Sequence, residues 1–227
     1  MKKNKKTKEI LKLIKIMEKL RSPTGCPWDQ KQTAETLKPH ILEEAYELIE
    51  AIDSGDITEI RDELGDLLLQ VVFIAQIFRE QRKFDLTDVA ASINQKLIRR
   101  HPHVFAGESR DGHAQRWEEI KQQERLTQGK GNKLADRIPV NLPSLKQATK
   151  VAKKMGKENP TTQINKLQKY FSDLSQLIEE PATTQDEIEQ TLGRIFFGTT
   201  QLANSLQLDA EDLLRKKTIQ VMTEIDI

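Results

Sequence analysis

An all-α fold is what this sequence predicts, and three observations carry the prediction. Apolar residues recur at three- and four-residue spacing, beginning with Ile10, Leu13, Ile14, Met17 and Leu20. Glycine and proline are sparse for the chain's size, 10 and 8 among 227 residues, as expected where helices dominate. A long helical stretch also returns: EIRDELGDLLLQVVFIAQIF at 59–78 lines up with EIEQTLGRIFFGTTQLANSL at 187–206. The chain therefore reads as two tandem helical repeats. Residues 1–105 form the first unit, 106–143 a connector carrying a short helix, and 144–227 a second, degenerate unit.

The elements follow in order. Residues 8–20 form a helix whose lysines face solvent around a packed apolar stripe. RSPTGCPWDQKQT is a loop, with Trp28 serving either as a lid on the core or as a stacking surface for a base. Two helices are expected at about 38–53 and 57–82, joined at Ser54-Gly55-Asp56, with Pro39 suited to the first turn. The apolar face of the earlier helix is Leu42, Ala45, Tyr46, Ile49 and Ile52. The later one runs LLLQVVFIAQIF after Asp66, apolar around nearly its whole circumference, and reads as buried. Asp85 or Thr87 caps the next helix, whose buried stripe is Leu86, Val89, Ala90, Ile93 and Leu97. His101-Pro102-His103 ends it, and two imidazoles without a further His or Cys nearby make a poor metal site. A charged helix around RWEEIKQQERL lies within the connector. The Leu-Gly step at 64–65 recurs at 192–193, and a mid-helix glycine predicts close helix–helix approach.

Composition narrows the function. Charged residues make up 31% of the chain, yet the formal net charge is +1, so charge points neither to stable nucleic-acid binding nor to a membrane. No apolar run reaches spanning length, and the basic start lacks the apolar core of a signal peptide. The single cysteine, Cys26, excludes an intrachain disulfide framework and makes the cytoplasm the expected location.

The chemistry concentrates between residues 43 and 66. Glu43, Glu44 and Glu47 lie within one helical turn of each other, and so do Glu63 and Asp66. If the turn at 54–56 folds the two helices antiparallel, both groups meet. Like charges that close repel unless a cation joins them, and a hard ion such as Mg²⁺ suits carboxylate oxygens. Glu63 and Asp66 share a stripe with Gln70, Phe73 and Ile77, where an ionised carboxylate is costly unless paired or bound to metal. Lys96 and Arg100 flank the stripe of the next helix and Arg99 points further out, a basic group that suits carboxylates or phosphates. The acids do not recur. Lys169, Tyr170 and Asp173 stand where Glu43, Glu44 and Glu47 stood, and Thr191 and Arg194 replace Glu63 and Asp66. No P-loop or dinucleotide fingerprint is present.

EEAYE followed after a turn by ELGD resembles the EExxE…ExxD signature of the MazG nucleoside triphosphate pyrophosphohydrolases. CPWDQKQT, FDLTDVAASINQKLIRRHPHVF and RWEEIK resemble MazG segments in the same order, covering about residues 8–125. The resemblance implies an all-α MazG-like fold, a helical homodimer, Mg²⁺ dependence, and conversion of a nucleoside triphosphate to monophosphate and pyrophosphate. It assigns Glu43, Glu44, Glu47, Glu63 and Asp66 to the metal, with Glu44 or Glu47 orienting the attacking water. Lys96, Arg99 and Arg100 fall to the phosphates, with Lys96 helping catalysis, and Asn94 is a further polar contact. Two other readings compete: a regulatory helical protein that keeps a metal site, and a related all-α phosphohydrolase acting on another nucleotide.

Overall fold

The computed structural model describes residues 3–109, 111–127, 129 and 133–225. The expected connector residues 110, 128 and 130–132, and the two residues at each end of the chain, lie outside that set. Among the described residues every regular element is a helix and none is a strand. The chain divides into two compact units, 1–120 and 121–227.

The first unit holds α1 (Lys3–Leu20), α2 (Pro27–Lys31), α3 (Lys38–Ser54), α4 (Ile57–Glu80), α5 (Leu86–Arg100) and α6 (Pro102–Phe105). The unit boundary falls within α7 (His113–Thr127). The hairpin of α3 and α4 is its centre. Gly55 ends α3 in the left-handed region at φ 77°, open to a residue without a Cβ. Asp56 then starts α4 by accepting hydrogen bonds from the Thr58 and Glu59 amides. A tight turn between long helices makes them antiparallel neighbours. Helix α1 lies against α4, and Met17, Leu37, Val72, Phe73 and Ile77 form the core between them.

One side chain ties down the loop before α3. Arg21 donates through Nε and Nη2 to the Glu80 carboxylate, and through Nη1 to the Asp29 and Gln32 carbonyls. Its guanidinium also sits 5.4 Å from the Phe73 ring centroid. The stretch expected as loop thus contains α2, with Cys26 at its N-cap position and Trp28 in its first turn.

The second unit holds α8 (Leu134–Arg137), α9 (Ser144–Met155), α10 (Pro160–Glu179), α11 (Gln185–Ser205) and α12 (Ala210–Ile225). Its centre is again a hairpin, α10 with α11, and α9 packs on α11 as α1 packs on α4. Both long helices close in the same way. Arg82 takes φ 55° and Gln207 φ 63°, while the Lys83 amide donates to the Phe78 carbonyl and the Leu208 amide to Ala203. This turn ends α4 at Glu80, two residues before its expected end. Helix α11 starts in register with α4 and stops about one turn sooner, 21 residues against 24.

Burial departs from the pattern reading in four places. Helix α4 is buried only in its second half; Leu64, Leu68 and Val71 are exposed, and so is Asp66. Leu37 at the N-cap of α3, with Ile41, Glu44, Leu48 and Ala51 on the helix, turns inward, while Leu42, Tyr46, Ile49 and Ile52 are exposed. The stripe on α5 is covered only near its start, at Leu86 and Val89. In each case the apolar residues do share a face, and among the described residues that face is left at least partly exposed. The fourth correction concerns glycine. A Cβ at Gly65 or Gly193 would meet nothing within 4 Å, whereas one at Gly198 would come 3.0 Å from Leu167 Cδ2. Close approach occurs at Gly198.

Candidate active site

The antiparallel hairpin brings the two acidic groups together. One carboxylate oxygen each of Glu44, Glu63 and Asp66 lies within 4.8 Å of the others. Among the described residues this is the sole group of three or more His, Cys, Asp or Glu side chains at metal-holding separation. Glu44 reaches it from the inward face of α3, Glu63 and Asp66 from the open half of α4. Glu47 is exposed at the edge of the cluster, near enough for its charge to act on both Glu44 and Glu63. Glu43 is exposed and meets His40, Nδ1 to Oε2 at 3.4 Å.

The charges leave a mark on the acids. Partial burial raises the Glu44 pKa above the ordinary carboxylate value; repulsion from Asp66, Glu47 and Glu43 adds to the rise, and the hydrogen bond from Gln70 opposes it. Partial burial also leads the upward shift of Glu63, with repulsion from Glu47, Asp66 and Glu44 adding to it. Hard oxygen donors gathered at this spacing, with Glu44 and Glu63 shifted toward protonation by partial burial and by their charged neighbours, fit a hard divalent cation. Gln70, buried at 7% exposure, donates from Nε2 to Glu44 Oε1 at 3.3 Å.

Trp28 stands next to His40, the side chain that meets Glu43. Its ring is 6.1 Å from the His40 ring and 6.4 Å from that of Phe73, edge-on to both, and it remains 54% exposed. One edge therefore anchors on the core while much of the indole stays open for stacking. On α5, Asn94 and Arg99 are exposed and Lys96 is half-buried. Arg100 is half-buried with its guanidinium 5.7 Å from the Trp117 ring centroid, a contact that spacing within α5 does not reveal. Nor does spacing reveal the neighbourhood of His103, whose ring lies 5.7 Å from His101 and 5.6 Å from His113. These three imidazoles do not gather at metal-holding separation.

The family model for the MazG nucleotide pyrophosphohydrolase domain matches residues 32–105. That span contains all five acids and the basic end of α5. The nucleoside triphosphate pyrophosphohydrolase/pyrophosphatase MazG of Thermotoga maritima is 43% identical over 214 residues, spanning 91% of this chain and 80% of that protein. The chain belongs to the MazG family. The Escherichia coli K12 nucleoside triphosphate pyrophosphohydrolase is 40% identical over 217 residues, 92% of this chain and 82% of its own length. A nucleoside triphosphate pyrophosphohydrolase of Mycobacterium tuberculosis is 40% identical over 153 residues, 65% of this chain and 45% of that protein. Among the described residues of this MazG chain, no helix is long and apolar enough to cross a membrane.

Proposed function

We propose that this MazG chain hydrolyses nucleoside triphosphates between the α- and β-phosphates, releasing nucleoside monophosphate and pyrophosphate, with Mg²⁺ as cofactor. The observation that carries this reading is the gathering of Glu44, Glu63 and Asp66 oxygens within 4.8 Å in a chain of this family. Glu44, Glu63 and Asp66 hold the ion, with Glu47 and Glu43 flanking it. Mg²⁺, when bound, reverses the local negative field so that a triphosphate can approach, and makes water a better nucleophile.

The remaining work falls to the chain's own side chains. Glu47 lies at the cluster's edge, outside the gathered three and without Gln70's hold, so it is the carboxylate free to orient a water and accept its proton. The water oxygen bonds to the α-phosphorus, the bond from that phosphorus to the bridging oxygen breaks, and pyrophosphate leaves with the bond's electron pair. Lys96 and Arg99 meet the charge that builds on the departing phosphates. Asn94 offers a neutral polar contact, Arg100 braces α5 through Trp117, and Trp28 offers its open face to the base. A homodimer acting in a reducing cytoplasm is part of the proposal. The exposed apolar faces of α3, α4 and α5 support the dimer, and the single cysteine supports the compartment.

The test is a panel of NTPs and dNTPs incubated with the purified protein and Mg²⁺, with products separated by ion exchange. Monophosphate and pyrophosphate in equal amounts are expected. Diphosphate with orthophosphate as the first products, or no turnover across the panel, overturns the proposal.

A further inference from the structure

Gln70 carries two features that packing alone does not explain. It is 93% buried, by its 7% exposure, yet its Oε1 has no hydrogen-bond partner among the described residues. Its Nε2 is spent on Glu44 Oε1 at 3.3 Å. A buried carbonyl without a donor is unfavourable. Turning the amide over would not cure this, because it would set the oxygen against a carboxylate. The side chain sits on α4 one turn beyond Asp66, where the helix passes from its open half to its buried half.

The second unit supplies the control. In the ungapped alignment of the two long helices Gly198 stands where Gln70 stands, just as Thr191 replaces Glu63 and Arg194 replaces Asp66. The juxtaposition itself survives: a Cβ at Gly198 would lie 3.9 Å from the Tyr170 ring, and Tyr170 stands where Glu44 stands. The hairpin therefore packs without the amide, by bringing Leu167 into the space. The amide is present where the carboxylates are and absent where they are not.

We infer that Gln70 is a positioning residue of the metal centre: its amide N–H fixes the Glu44 carboxylate toward Glu63 and Asp66, and its free carbonyl accepts a hydrogen bond from water that enters with the hydrated divalent cation. This rests on the reading of the carboxylate cluster as a metal site and deepens it. Partners of this kind govern metal affinity by orienting the ligands, and their loss typically costs 10- to 100-fold. Gln70 itself touches no substrate in this account.

The experiment is Mn²⁺ binding to the full chain, read by electron paramagnetic resonance without nucleotide, in wild type and Gln70→Met. Met keeps the length and volume and removes both polar atoms. The expected result is affinity lower by 10-fold or more, with an unchanged circular dichroism spectrum in chelator. In a Glu44→Gln background the same substitution is expected to cost at least about threefold less than in wild type, since the N–H has lost its charged target while the carbonyl keeps its water. If the Met variant does not fold, Gln70→Asn takes its place; it keeps the amide but withdraws it by one methylene, and the same 10-fold loss is expected. Affinity within twofold of wild type, or an equal loss in both Glu44 backgrounds, overturns the inference. Because the readout is metal binding, a failed turnover assay with a normal Mn²⁺ result defeats the proposed reaction and leaves the role of Gln70 standing.

Discussion

At the scale of the residue, helical spacing made the acids legible. Glu63 and Asp66 share a face by the geometry of any α-helix, and the turn at Gly55 had to bring Glu44 across to them. Gln70 was visible only as a member of the same stripe, because an uncharged amide leaves no charge pattern to read. The contacts of Arg100 with Trp117 and of His103 with His113 depend on how α7 returns, which spacing within one helix does not encode. Glu63→Gln and Asp66→Asn are each expected to lower turnover by at least about two orders of magnitude, the loss of several kcal/mol of charge stabilisation, with the helical circular dichroism spectrum kept. Near-normal rates at limiting Mg²⁺ would remove that carboxylate from the ligand set. Lys96→Ala and Arg99→Ala are expected to weaken the hold on the triphosphate and on the departing pyrophosphate by about 1.5–3 kcal/mol each, read as a fall in kcat/KM. The raised pKa values of Glu44 and Glu63 carry a pH signature. Their folded forms hold protons more tightly than the unfolded chain, so their stabilising contribution is full below the ordinary carboxylate pKa and lost as pH rises through the folded values. In chelator at neutral pH, a Glu44→Gln/Glu63→Gln variant should therefore melt above wild type. The gap should close as pH falls toward the ordinary carboxylate range. A gap that widens on acidification would refute the repulsion.

At the scale of the element, caps and turns were read well. Pro39, Gly55, Asp56 and Asp85 each begin or end a helix as local chemistry dictates, and Asp85 forms a reciprocal pair of hydrogen bonds with Asp88. Asp85→Ala is expected to cost about 1 kcal/mol, measured by urea denaturation. The stretch at 22–33 looks irregular in sequence because its order comes from elsewhere. Arg21 reaches it from the end of α1 and is itself fixed by Glu80 at the end of α4. The Arg21 side chain is only 7% exposed while Glu80 keeps 37%, so Arg21→Ala leaves the Asp29 and Gln32 carbonyls without their donor and returns Glu80 to water. It is expected to cost about 2 kcal/mol. Trp28 should then become more accessible to fluorescence quenchers, and unchanged quenching would show that Arg21 does not order the loop. Helix α4 ends two residues before its apolar pattern suggests because Arg82, a non-glycine, takes the left-handed turn.

At the scale of the whole molecule, the all-α architecture and its repetition were legible from periodicity, and burial was not. Periodicity says which side chains share a face and is silent on whether the covering surface belongs to the same chain. Leu42, Tyr46, Ile49 and Ile52 on α3, with Leu64, Leu68 and Val71 on α4, form apolar faces left exposed here. Light scattering after size exclusion is expected to give twice the monomer mass, and Tyr46→Glu with Ile49→Glu to give a monomer; a monomeric wild type would remove the homodimer from the proposal. The packing of Gly198 against Leu167 has a consequence for building the same centre in the second unit. Tyr170 and Arg194 are half-buried and exposed, with room for a carboxylate, whereas Thr191, at 5% exposure, leaves little space for a longer acid. An amide at 198 would set its first carbon 3.0 Å from Leu167 Cδ2, so that side chain would have to give way. Charge and packing would therefore have to be rebuilt together. Such an engineered centre would have to begin with Leu167, a residue that carries no chemistry at all.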